Sequence, residues 1–147
     1  MSDHLDMHRL LRAMRDHDAS DLHIKPGSPP VYRIASVLHP IQSPPLSPAD
    51  TRTMLMGLVP ANLAMALEDN GGVDFSHRDE HDQRYRCSIF QSGETLHAAI
   101  RRVQPEVPDF DELHLPPVYH DVTDKAYEGL VIICGVTGSG KSSTLAA

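Results

Sequence analysis

The sequence predicts an α/β protein in parts: a small α/β domain over residues 1–104, a linker over 105–117, and the start of a second α/β domain over 118–147. Three observations predict this. Amphipathic helical runs and short runs of period-two alternation succeed one another up to Gln104. Pro105, Pro108, Pro116 and Pro117 then stand among acidic residues, a composition that marks a connection rather than a core. Finally, the apolar, largely β-branched run Leu130 to Cys134 reads as a buried strand and leads into a glycine-rich turn and a potential helix.

Residues Asp3 to Asp18 carry Met7, Leu10, Leu11 and Met14 at i, i+3, i+4, i+7 spacing, with Arg9, Arg12, Arg15 and Asp16 off that face, which predicts an amphipathic helix. Leu22 and Ile24 alternate with His23 and Lys25 as in a half-buried strand. Pro26-Gly27 turns the chain, and Val31 to Leu38 reads as a second strand. After the connection Gln42 to Pro48, Ser47-Pro48-Ala49-Asp50 is a helix start: serine at the N-cap, proline in the first turn, an acid at the third position. Thr51, Met54, Leu55 and Leu58 make the buried face of that helix. A further helix, Ala61 to Asp69, stops at Asn70-Gly71-Gly72, and Val73 to Ser76 resumes an extended pattern. His77 to Asp82 holds metal-ligand residue types, but at a polar hairpin tip, and reads as a solvated turn. His4 and His8 share a helix face with no third ligand nearby.

Arg84 to Phe90 and Thr95 to Val103 form a predicted hairpin with a two-residue turn at Ser92-Gly93. That register sets Arg84 opposite Arg101 and Arg86 opposite Ala99. Tyr85, Cys87 and Ile89 then face the core, while Arg84, Arg86 and Arg101 share the other face. Facing arginines cost about 0.2–1 kcal/mol unless an anion relieves them. A phosphate and surface carboxylates are both open as that anion.

The most specific signal is Gly135-Val136-Thr137-Gly138-Ser139-Gly140-Lys141-Ser142, which reads G-x-x-x-x-G-K-[ST]. Glycines let the backbone wrap a phosphate chain and turn its N–H groups inward, so Thr137 to Lys141 can cradle the phosphates. Lys141 reaches the β/γ-phosphates, the Ser142 hydroxyl can ligate Mg²⁺, and the helix that starts at Lys141 and runs through Ser143 adds its positive end. The expected ligand is a nucleoside triphosphate with Mg²⁺.

Composition sets limits. The chain has 147 residues and a formal net charge of −7, which argues against sequence-independent nucleic-acid binding. No apolar run approaches the length of a membrane span, and the start is no signal peptide. Cys87 and Cys134 both fall on predicted strands and are expected to be buried, reduced thiols in a cytosolic protein. Because a P-loop fold needs further strands and an acid to order Mg²⁺, the sequence reads as a piece of a longer protein, inactive alone.

Three segments together resemble the secretion and type IV pilus motor ATPases, nearest the twitching-motility retraction branch. They are Ala19-Ser20-Asp21-Leu22-His23-Ile24 followed by Gly27, Pro29-Pro30 and Arg33; Arg84-Tyr85-Arg86 with Phe90 and then Ala99-Ile100-Arg101; and Gly135 to Ala147. The resemblance implies a PAS-like N-terminal domain linked to a RecA-like ATPase core, with ATP bound between the two and N-terminal arginines reaching the phosphates. Arg86 and Arg101 match those positions. It further implies a homo-hexamer at the cytoplasmic face of the bacterial inner membrane, peripheral to the bilayer, working on a pilus or secretion platform protein. Two departures stand out: Ala35-Ser36 replaces the family's Asp-Gly turn, and Glu94 stands where the retraction branch often has a basic residue. The family's acidic, Walker B and histidine boxes have no counterpart up to Ala147. An unrelated P-loop enzyme and a nucleotide-binding adaptor without turnover are the rival readings.

Overall fold

The first helix, α1, spans Met7–Asp16 and starts where Asp6 caps it: the Asp6 carboxylate accepts the His8 N–H at 3.2 Å. Its apolar stripe, Met7, Leu10, Leu11 and Met14, is buried as the spacing predicts. The computed structural model describes residues 6–104, 108–125, 127–136 and 139–147, so His4 lies outside the described residues. The chain divides into two compact units, Met1–Val103 and Gln104–Ala147.

The first unit is built on a six-stranded sheet: β1 (Asp21–Ile24), β2 (Val31–Ile34), β3 (Val37–Pro40), β4 (Gly72–Arg78), β5 (Arg84–Ser92) and β6 (Thr95–Arg102). The strand order is β3-β2-β1-β6-β5-β4, and every neighbouring pair is antiparallel. Two further helices, α2 (Pro48–Met56) and α3 (Ala64–Asn70), join β3 to β4, with a 3-10 turn at Ala61–Leu63 before α3. The predicted start of α2 forms as a capping box between Ser47 and Asp50, and α3 ends on Gly71 in the left-handed region, φ 72°.

Alternation along the strands sorts the sheet into two faces. Leu22, Ile24, Tyr32, Tyr85, Cys87, Ile89, Leu96, Ala98 and Ile100 join the α1 stripe, Leu55, Leu58 and Leu67 in one core. Burial pushes the Cys87 thiol up to about 12, so it stays protonated and inert. The other face carries Asp21, His23, Arg33, Arg86, Ser88, Phe90, His97, Ala99 and Arg101.

Three expectations for the first unit are corrected. The hairpin turn lies at Gly93-Glu94, not Ser92-Gly93, because Ser92 pairs with Thr95. Glycine supplies the positive φ, 62°, at the first central position, as a Gly-x turn requires. The ladder therefore sits two residues away from the predicted register, and Arg86, not Arg84, faces Arg101. Since side chains repeat every two residues, the predicted faces survive. Secondly, Val31 to Leu38 is not one strand: Ala35 and Ser36 turn with φ 46° and 69°, and β2 pairs back on β3. A left-handed conformation at a residue with a Cβ costs roughly 1–2 kcal/mol. Ser36→Gly is therefore expected to raise stability by about 1 kcal/mol, read as a higher urea midpoint at unchanged m-value. A midpoint at or below wild type would overturn that reading. Thirdly, His77 is not on a solvated tip. It lies on β4, its ring 6.3 Å from Tyr85 and 6.5 Å from His8, and its buried Nε2 has no hydrogen-bond partner among the described residues. Burial first, then His8, lowers its pKa. No group of three or more potential ligands capable of holding a metal occurs among the described residues.

In the second unit, α4 (Val118–Lys125) and α5 (Lys141–Ala146) are helical. The strand expected at Leu130 to Cys134 does not form: among the described residues this segment pairs with nothing, and Leu130, Val131 and Ile132 are 82%, 60% and 69% exposed. An apolar run becomes a strand only where a neighbour takes its backbone hydrogen bonds. Cys134 is accordingly exposed rather than buried.

Candidate functional site

The open sheet face of the first unit carries a transverse row of charge. Cross-strand pairing sets Arg33 beside Asp21, Asp21 beside Arg101, and Arg101 beside Arg86. Each sits on a different strand, on the sheet face opposite the core, because side chains alternate along a strand. Asp21 is the buried member. Its Oδ1 accepts a hydrogen bond from Arg101 Nε at 2.9 Å, and its Oδ2 accepts one from Ser20 Oγ at 2.8 Å and faces Arg33 Nε at 3.4 Å. Burial alone raises the carboxyl's pKa, but the hydrogen bonds from Arg101 and Ser20 and the charges of Arg101 and Arg33 outweigh it and hold it below the usual carboxylate value.

For Arg101, then, a carboxylate supplies part of the relief that the facing arginines need. The side chain is nevertheless 72% exposed, because Asp21 holds it at Nε and leaves the terminal nitrogens outward. Arg86, directly opposite, is exposed and makes no ion pair among the described residues. Arg84 lies near the end of the row, exposed as well. Arg102 differs: it turns back to Asp18 and the Ala19 carbonyl, its side chain only 8% exposed. Sequence reasoning missed both Asp21 and Arg33 as members of this cluster. Asp21 and Arg101 are eighty positions apart, and only strand order brings them together.

The second unit holds the G-x-x-x-x-G-K-S segment. Lys141 Nζ donates to the Gly135 carbonyl at 2.9 Å and to the Val136 carbonyl at 2.7 Å, folding the lysine over the loop. The loop closes on itself closely enough that a Cβ on Gly135 would lie 2.5 Å from Ser139 Oγ, so any larger residue there would make that hydroxyl turn away. Gly140 enters α5 with φ 86°, and Ser142 and Ser143 are exposed on the first turn. Thr137 and Gly138, expected to contribute N–H groups, lie outside the described residues. A tight loop, a lysine drawn over it and an exposed serine hydroxyl beside that lysine fit a phosphate chain with its magnesium.

Comparison with known proteins places this geometry. No family profile matches the chain. The type IV pilus ATPase PilU of Pseudomonas aeruginosa is 32% identical over 143 residues, which cover 97% of this chain and 37% of PilU. The type IV pilus retraction ATPase PilT of the same organism is likewise 32% identical over 143 residues, covering 97% of this chain and 41% of PilT. A crystal structure of the pilus retraction motor PilT with bound ADP matches with a TM-score of 0.80 at 32% identity, over 97% of this chain and 41% of that one. The Legionella pneumophila ATPase DotB has the same fold at a TM-score of 0.80 and 24% identity, over 99% of this chain and 42% of its own. The chain thus spans about two fifths of the length of the proteins it matches. The first unit's six-stranded sheet with helices on one face is the fold of the PilT and DotB N-terminal domain. Over nearly its whole length, then, the chain is similar in sequence and fold to about two fifths of the type IV pilus ATPases PilU and PilT, and it shares the fold of DotB.

Proposed function

We propose that these residues are the N-terminal, ATP-binding part of a motor ATPase that drives type IV pilus retraction or assembly, or type II secretion. The observation that carries this reading is the P-loop: a G-x-x-x-x-G-K-S sequence whose lysine folds back to the Gly135 and Val136 carbonyls and whose Gly140 enters the helix at φ 86°. The PilT structure with bound ADP supports the nucleotide. In this reading residues 1–104 form the PAS-like domain, 105–117 the linker and 118–147 the start of the RecA-like domain. The working form is a homo-hexamer peripheral to the cytoplasmic face of the inner membrane, acting on a pilus or secretion platform protein. No helix among the described residues is long and apolar enough to cross a membrane.

Gly135, Ser139, Gly140, Lys141, Ser142 and Ser143, with Thr137 and Gly138, hold the phosphates. Ser142 ligates Mg²⁺, which when bound offsets charge on the phosphate oxygens. Arg86 and Arg101, on the open sheet face, present guanidinium forks suited to phosphate oxygens. The test is nucleotide binding, measured by calorimetry with ADP on the complete motor subunit. Lys141→Ala removes a charge-assisted donor and is expected to weaken binding by about tenfold or more. Gly140→Ala is expected to weaken it as strongly, since Gly140 enters α5 at φ 86°, a conformation that a residue with a Cβ adopts only under strain. Wild-type affinity in both variants would overturn the P-loop assignment.

A further inference from the structure

The open sheet face poses a problem that the phosphate role does not explain. Arg101 is a long, exposed side chain directly opposite a second cation, Arg86. Left alone, repulsion and rotamer freedom would scatter its guanidinium over many positions. Asp21 prevents this. It is anchored in the sheet, with a side chain only 11% exposed, and it holds Arg101 through a single atom, Nε, at 2.9 Å. A guanidinium held at Nε keeps both terminal nitrogens available for a planar, two-point contact with oxyanions. Ser20 Oγ donates to the other carboxylate oxygen at 2.8 Å, and Arg33 braces that oxygen from the far side at 3.4 Å. The carboxylate is thus fixed from three strands or their ends while it fixes one arginine.

We propose that Asp21 is a positioning residue for phosphoryl transfer: it fixes Arg101 so that the terminal nitrogens are presented to phosphate oxygens before nucleotide arrives. Ser20 and Arg33 hold Asp21 in place, and Arg86 stays unbraced as the second, mobile cation. The inference rests on the phosphate role of Arg101 put forward above. It adds that hydrolysis depends on a carboxylate that never touches the nucleotide. Its effect is on rate rather than affinity, because misplacing a preorganised group by about 1 Å can cost on the order of 10²-fold.

The experiment is a double-mutant cycle in the complete motor subunit, reading kcat and ATP Kd for Asp21→Asn, Arg101→Ala and the double variant. Asparagine matches the carboxylate in shape but not in charge. Asp21→Asn is expected to lower kcat by about tenfold or more with Kd nearly unchanged, and to lower it no further once Arg101 is alanine. The same substitution in the present chain is expected to speed solvent exchange of the Arg101 Nε–H resonance, which a general loss of packing would not do selectively. If Asp21→Asn does not fold, Asp21→Glu carries the same cycle, since it keeps the charge and displaces it by a methylene. Two results overturn the proposal while leaving the arginine's role intact: Arg101→Ala slows hydrolysis but the Asp21 variants do not, or the Asp21 variants slow the Arg101→Ala protein by the same factor as wild type. If Arg101→Ala itself keeps wild-type kcat, the phosphate role of Arg101 falls and this inference with it.

Discussion

Arg86→Ala and Arg101→Ala are each expected to lower kcat for ATP hydrolysis by about 10³-fold in the complete motor subunit, with nucleotide affinity much less affected. A transferring phosphoryl group spreads charge over its equatorial oxygens, and a guanidinium fork stabilises that charge most where it develops. Both arginines are exposed, and they sit directly across from each other on β5 and β6, so one anion can meet both. Arg102, the immediate neighbour of Arg101, is committed to Asp18 and the Ala19 carbonyl and lies nearly buried. Its loss should show in stability, not rate. Single-turnover hydrolysis and nucleotide Kd, measured on variants with normal ring assembly, decide the matter. Wild-type kcat in both variants would mean that the row is a solvated sheet face.

Leu11→Ala is expected to destabilise the first unit by about 3 kcal/mol, since a fully buried leucine leaves a cavity as well as a lost transfer term. At this domain size that lowers Tm by roughly 12–24 °C. The effect reaches beyond the cavity. Tyr32 OH donates to the Leu10 carbonyl at 2.9 Å, and Tyr85 OH donates to the Leu11 carbonyl at 3.0 Å, so two buried phenols hold α1 to the sheet. Burial pushes the Tyr32 hydroxyl up to about 12, and burial first, then Asp79, raises that of Tyr85, so both remain donors at neutral pH. A helix that shifts to fill the cavity strains both bonds. Thermal unfolding followed by circular dichroism reads the change, with Leu145→Ala, 73% exposed, as the surface comparison. A loss below about 1 kcal/mol would show that α1 adds little to the fold.

What the sequence made legible was what is local. The α1 stripe, the Ser47 capping box and the inward and outward faces of β5 follow from spacing alone. The G-x-x-x-x-G-K-[ST] spacing stands out in the sequence because phosphate binding restricts residue type at fixed positions. The register of β5 on β6 was not, because Ser92-Gly93 and Gly93-Glu94 both offer a glycine, and only the ladder shows which turn forms. The turn at Ala35-Ser36 carries no glycine or asparagine to announce its positive φ; cross-strand pairing of β2 with β3 imposes it. Leu130 to Cys134 has the composition of a strand, but strand formation depends on a partner that no local pattern specifies. Asp21 escaped notice for a similar reason: its importance comes from three strands meeting, not from its neighbours in sequence.

The pairing of β5 with β6 also says which changes of length the open sheet face can absorb. Side chains along these strands obey an even–odd rule. A single residue inserted in β6 between Leu96 and Ile100 would turn the arginine toward the core and push Ile100 into water, exchanging a cation for a core residue. Two inserted residues would restore the polarity of the surface and only move the arginine along it. Over evolutionary time this segment should therefore drift in length by pairs, and charge on the open face acts as a parity check on each insertion or deletion.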